Sequence, residues 1–134
     1  MPPADERPAP VPAIRVVMMP KDTNALGTIF GGVILSYIDQ AGAVEAHRTC
    51  PGRIVTVSMR EVVFHAPVFV GDLVTFWTDT VRVGTTSVTV KVVVEAERGR
   101  PGGPKAKVTE AEMVFVHVGP DGRPLPIRPE GARA

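Results

Sequence analysis

Apolar and polar residues follow two different rhythms along this chain. The clearer one runs through 86–97. Thr86, Val88, Val90, Val92, Val94 and Ala96 fall on one face, and Ser87, Thr89, Lys91, Glu95 and Glu97 on the other. A period of two predicts a half-buried strand. Four more segments read as strands: a short one at 14–18; 53–65, β-branched and ended by Pro67; 73–83, after the turn Val70-Gly71-Asp72; and 108–118, with a weaker pattern. Gly84-Thr85 joins two of the long strands in a tight hairpin turn. Strands linked in this way form an antiparallel sheet.

The second rhythm belongs to 31–48, which reads as one long helix of ~27 Å. Its only candidate charges are Asp39, Glu45, His47 and Arg48. A helix that apolar needs cover on every side. The sheet supplies one side, and a second copy of the chain is expected to supply the rest. On a helix, Leu35, Asp39, Gly42 and Ala46 share a stripe, which sets Asp39 among apolar and small groups. Burying an unpaired carboxylate costs several kcal/mol, roughly. Either Asp39 meets a cation or caps a loop, or it borders a cleft and does chemistry.

The chain ahead of the helix adds Asn24, Gly27, Gly31 and Gly32. Glycines let the backbone bend and approach a ligand closely. At a helix start the amide N–H groups lack partners and favour negative charge, so they can hold an oxyanion. A tight lead-in to the helix is the structural alternative. Gly32 and Asp39 lie seven residues apart, ~10 Å along one axis. A general base must reach within about 3 Å or act through one water. If both groups serve one reaction, each is expected to come from a different chain.

Composition narrows the partners. Fifteen basic and 14 acidic side chains leave a net charge of +1, with no basic run for nucleic acid or an anionic membrane. No apolar run approaches the ~20 residues of a membrane span. Cys50 is the only cysteine, so no intrachain disulfide can form and a reducing cytoplasm is expected. Proline-rich 1–12 and 119–134 read as flexible tails around one domain at 13–118, and 98–105 reads as a loop.

Other chemistry-bearing residues carry weaker signals. His47, His65 and His117 show no metal-ligand spacing and read as surface or packing groups. Cys50 has no base nominated beside it. Ser36 and Ser58 lack a nucleophile elbow. Glu61 reads as a solvated residue interrupting a strand. Arg82, Lys91 and Lys105 are default surface cations that could meet phosphates.

The string MPKDTNALGTIFGGVILSYIDQAGA, with RIVTVSMREVVFHAPVFVGD, RVGTTSVTVKVVV and VTEAEMVFVHV, resembles the acyl-CoA thioesterases of the hotdog fold. That family includes the bacterial YciA-type enzymes and mammalian cytosolic acyl-CoA hydrolases. The resemblance spans about residues 14–118. The D-T-N…G-x-x-F-G-G…D pattern is fairly specific, whereas F-x-x-P-V-x-x-G-D is common to many hotdog proteins. It implies an α+β hotdog fold, an antiparallel sheet wrapped around a central helix. It further implies a homodimer as the minimal active unit, with three dimers forming a hexamer.

By the same resemblance, Asp39 activates the hydrolytic water, Asn24 helps orient water or substrate, and Gly32, with Gly31 beside it, polarises the thioester carbonyl. Gly31, Val57, Ser58, Arg82, Gly84, Thr85 and Ser87 make up the implied substrate-binding set. Relatives often carry arginine after the glycine of the Gly84–Ser87 turn; here Thr85 stands there, so Arg82 or another cation is expected to meet the coenzyme A phosphates. No metal or separate cofactor is needed. Two rivals remain: a hotdog hydratase or dehydratase, opposed by the absence of histidine from 22–38, and a non-catalytic acyl-CoA-binding module.

Overall fold

A computed structural model describes residues 11–127. Residues 1–10 of the expected N-terminal tail and 128–134 of the C-terminal one lie outside them. The elements are β1 (Ile14–Val17), a 3-10 turn (Pro20–Asp22), α1 (Gly31–Thr49), β2 (Ile54–Arg60), β3 (Leu73–Val83), β4 (Ser87–Glu97) and β5 (Lys105–His117). The strands form one antiparallel sheet in the order β1-β3-β4-β5-β2.

The alternation in β4 does what its period requires. Val88, Val90, Val92, Val94 and Ala96 are buried, and they meet Met113, Phe115 and Ala111 of β5 and Phe76 and Val74 of β3 in the core beneath α1. The helix turns Ile34, Ile38, Ala41, Gly42, Glu45 and Ala46 toward this layer. The contact is close at Gly42, where a Cβ would stand 2.9 Å from Met113 Sδ and 3.0 Å from the Phe115 ring.

The expected stripe is not evenly deep. Gly42 and Ala46 are buried, whereas Leu35 and Asp39 sit at the edge of this face, half-buried. The helix's deeply buried acid is instead Glu45, whose carboxylate accepts from the Thr78 and Thr80 hydroxyls at 2.9 and 2.8 Å. The opposite side of α1, along Gly32, Ser36, Gln40 and Val44, is exposed.

Three boundaries moved. The strand expected over 53–65 stops at Arg60, because Glu61 adopts φ +57, a left-handed conformation that a strand cannot continue through. The hairpin expected at Gly84-Thr85 is centred on Thr85-Thr86 and closed by Gly84 N–H donating to the Ser87 carbonyl at 2.8 Å. Residues 119–127 run back along the sheet end: Leu125 N–H donates to the His117 carbonyl and Ile127 N–H to that of Thr85, both at 2.8 Å.

The segment after Glu61 is tied down by the Val70-Gly71-Asp72 turn. Asp72 is 1% exposed and accepts from Phe69 N–H, Gly99 N–H and the Arg98 guanidinium at 2.8–2.9 Å. Arg98 also donates to the Pro67 carbonyl and lies over the Phe69 ring. These contacts fix the approach of 64–68 to the start of α1.

Candidate active site

Three parts of the chain converge around α1: the loop that feeds it, its first turn, and β2 alongside its middle. The loop is braced at almost every residue. Isolated bridges join Thr23 to Ile29 and Thr28 to Phe69; Ile29 N–H donates to the Val68 carbonyl and Phe30 N–H to that of Asp22. Asn24 closes the loop on itself. Its Oδ1 accepts from Leu26 N–H at 2.8 Å and Thr28 N–H at 3.2 Å, and its Nδ2 donates to Thr28 Oγ1 at 2.8 Å. Gly27 supplies the positive φ, +85, that the turn requires.

The loop delivers Gly31 and Gly32 to the first turn of the helix. Phe30 caps it without a side-chain hydrogen bond. Neither the Gly31 nor the Gly32 N–H has a partner among the described residues, as expected of first-turn amides. Their surroundings differ. A Cβ on Gly31 would touch the Phe64 ring at 3.5 Å, whereas nothing lies within 4 Å of one on Gly32. Nothing among the described residues therefore demands glycine at 32.

Two hollows flank this turn. One, of about 360 Å³, is lined by Thr28, Gly31, Ile34 and 64–68, His65 included. The other, of about 380 Å³, is lined by Asp22, Gly32, Ser36, Tyr37 and Gln40. A third, at the far end of α1 between Cys50, His117 and Ile127, also of about 360 Å³, brings together none of the expected site residues.

Asp39 lines neither hollow at the helix start, in keeping with the ~10 Å separation along the axis. It forms no ion pair among the described residues. Its Oδ1 instead accepts from the Thr56 hydroxyl at 2.6 Å, and Oδ2 has no partner among the described residues. Thr56 is the residue that sequence reasoning missed. A bulge at Val57 aims it: Thr56 pairs with inward-facing Phe115, and the register then slips so that Ser58 pairs with Val114. Bulges commonly re-aim side chains in this way beside functional sites. Period-two alternation in IVTVSM sets Thr56 on the face opposite Val55, Val57 and Met59, so no signal in the sequence singles it out.

The implied substrate-binding residues divide. Val57 is exposed at the bulge beside Thr56. Gly84, Thr85 and Ser87 form the β3–β4 turn at the sheet end where Val88, Phe115 and Thr56 share one row; the turn strand β4 lies two strands, ~10 Å, from β2. Ser58 and Arg82 share a row with Thr89 and Val114 on the outer face of the sheet, away from α1. The protomer therefore does not bring these two together with Asp39. Among the described residues no group of three His, Cys, Asp or Glu is placed to hold a metal, and no helix is long and apolar enough to cross a membrane.

Comparison with known proteins fits this geometry. The family model described as the thioesterase superfamily matches residues 26–102. The acyl-CoA thioester hydrolase YciA of Salmonella typhimurium is 41% identical over 120 residues, covering 88% of this chain and 90% of that one. The structure of Cj0915, a hexameric hotdog-fold thioesterase of Campylobacter jejuni, superposes with a TM-score of 0.81 at 46% identity, covering 87% and 90% of the two chains. HI0827, a hexameric broad-specificity acyl-coenzyme A thioesterase, superposes at 0.83 with 38% identity over 94% and 86%; it has also been solved with one aspartate changed to alanine. The single helix against a five-stranded antiparallel sheet is the hotdog fold, and the chain belongs to the thioesterase superfamily.

Proposed function

We propose that this protein hydrolyses acyl-CoA thioesters to a free carboxylic acid and coenzyme A, with Asp39 as general base at a site shared by two protomers. The observation that carries this is the state of Asp39: half-buried, one oxygen held by Thr56 and, among the described residues, no cation and no partner for the other. A structural carboxylate would be satisfied on both sides, as Glu45 and Asp72 are. Asp39 Oδ2 takes a proton from water as the water oxygen bonds to the thioester carbonyl carbon. The carbonyl oxygen becomes an oxyanion on the Gly31 and Gly32 amides, a donor of this kind being worth roughly 3–4 kcal/mol. Collapse of the intermediate breaks the C–S bond, and the thiolate leaves with the proton as coenzyme A.

Two features favour a site completed by a second copy. Amides and base stand too far apart on one helix to serve one carbonyl. The sheet also ends at β2, whose free edge shows Val55 and Val57 at 43% and 55% exposure next to Thr56. Such an edge is a template for another strand. A second β2 there continues the sheet, and three such dimers would make a hexamer like those of the relatives.

Free-thiol release from acyl-CoAs of graded chain length tests the activity; steady turnover is expected, and binding without thiol release would replace it with a binding module. One observation keeps a hydratase in view: His65, set aside on sequence grounds, lines the hollow at Gly31. Consumption of an enoyl-CoA double bond without thiol release would establish that alternative.

A further inference from the structure

We propose that Asn24 acts as a positioning residue, locking the loop that sets the Gly31 and Gly32 amides. The proposal rests on the reading of those amides as the carbonyl's donors.

Three of the four hydrogen-bonding positions of the Asn24 side chain are taken up by its own loop. Oδ1 has two lone pairs, and Leu26 N–H and Thr28 N–H take them. One Nδ2 hydrogen goes to Thr28 Oγ1. The main chain repeats the tie, with Asn24 N–H donating to the Thr28 carbonyl at 2.8 Å and Gly27 N–H to that of Asn24 at 3.2 Å.

Two side-chain-satisfied amides, two main-chain bonds and one positive-φ glycine make 24–28 a closed turn. From there the chain is clamped by Ile29 to Val68 and Phe30 to Asp22 before it enters the helix. Nothing else among the described residues serves the Leu26 N–H, and Thr28 N–H depends on the same oxygen. Removing the Asn24 side chain therefore unties 26–28 and leaves only the Ile29 and Phe30 main-chain bonds to place the two amides. Displacement of those amides is catalytically expensive: about 1 Å of misplacement can cost ~10²-fold.

Residue chemistry makes the proposal separable from direct catalysis. Aspartate keeps an acceptor for both amides and can accept from the Thr28 hydroxyl, which rotates to donate. Alanine keeps nothing. Thr28→Val removes only the acceptor of Nδ2 and leaves that amide free to point elsewhere.

The experiment compares wild type, Asn24→Ala, Asn24→Asp, Thr28→Val and the Asn24→Ala/Thr28→Val double variant in thiol release, with amide hydrogen exchange of 25–32 on the same proteins. Asn24→Ala is expected to lower kcat ~10²-fold with little change in KM. Thr28→Val is expected to lower it by up to about tenfold, the weight of one hydrogen bond. The double variant should be no worse than Asn24→Ala alone, since both act through one lock. Asn24→Asp should recover most of the loss, and exchange across 25–32 should quicken in Asn24→Ala. The proposal is overturned if Thr28→Val behaves as wild type while Asn24→Ala and Asn24→Asp are equally impaired with unchanged exchange; the amide then acts directly. A wild type that releases no thiol refutes the thioesterase reading, and the exchange rates alone still decide whether Asn24 locks the loop.

Discussion

In the proposed mechanism Asp39 and Thr56 act through one hydrogen bond. A hydroxyl donating at 2.6 Å to Oδ1 fixes the carboxylate's rotation, and Oδ2 is the oxygen proposed as the base. Thr56→Val keeps the shape and removes the donor, so kcat is expected to fall about tenfold, the upper weight of a single hydrogen bond, while Thr56→Ser retains most activity. Equal kcat for wild type and Thr56→Val would remove Thr56 from the mechanism.

A second residue carries a pH signature. The Gly102 N–H, and after it the Arg15 guanidinium, hold the Glu97 carboxyl below the usual carboxylate range. A carboxyl lowered by folding contributes stability that is present above its unfolded value of about 4.3 and lost as pH falls through the folded one. Thermal melts taken between about pH 6 and pH 3 should show Glu97→Gln losing less stability on acidification than wild type. Parallel curves would show that Glu97 makes no such contribution.

At the scale of elements, α1 is held against the sheet by close packing at Gly42. A methyl there meets Met113 and Phe115 near 3 Å. Gly42→Ala is expected to destabilise by about 1–3 kcal/mol through overpacking, lowering the thermal midpoint by several degrees; an unchanged or raised midpoint would mean that Met113 yields at no cost.

The helix and the long strands were legible because a buried face repeats at a fixed period. Four alternating valines and an alanine in β4 and the near-uncharged run of α1 leave little choice. The rotation of α1 was not legible. Apolar residues lie all round it, so the pattern could not say that Ile34 and Ile38 face in while Leu35 and Asp39 sit on the flank. The end of β2 was hidden for a related reason: a run as β-branched as 53–65 gives no warning of a left-handed Glu61.

Among the described residues, the β2 edge of the sheet and one side of the helix are uncovered. Both adjoin the candidate site, β2 through Thr56 and α1 through Gly32 and Ser36. Asp39 and the glycines stood out as candidates because a carboxylate and paired glycines are conspicuous in an apolar helix. Thr56 was not, since its role depends on a bulge that only strand pairing reveals. Val57→Asp puts a charge on the free edge. It is expected to yield monomers by native mass measurement and to abolish turnover, while each protomer keeps its far-ultraviolet spectrum. A monomeric variant with full activity would confine the site to one chain.

The most direct measurement is the turnover number of Asp39→Ala against a saturating acyl-CoA, alongside its circular dichroism and its native mass. Loss of a general base predicts a fall of ~10²-fold or more, with spectrum and assembly unchanged. Turnover at the wild-type rate would contradict the assignment of Asp39 as the base.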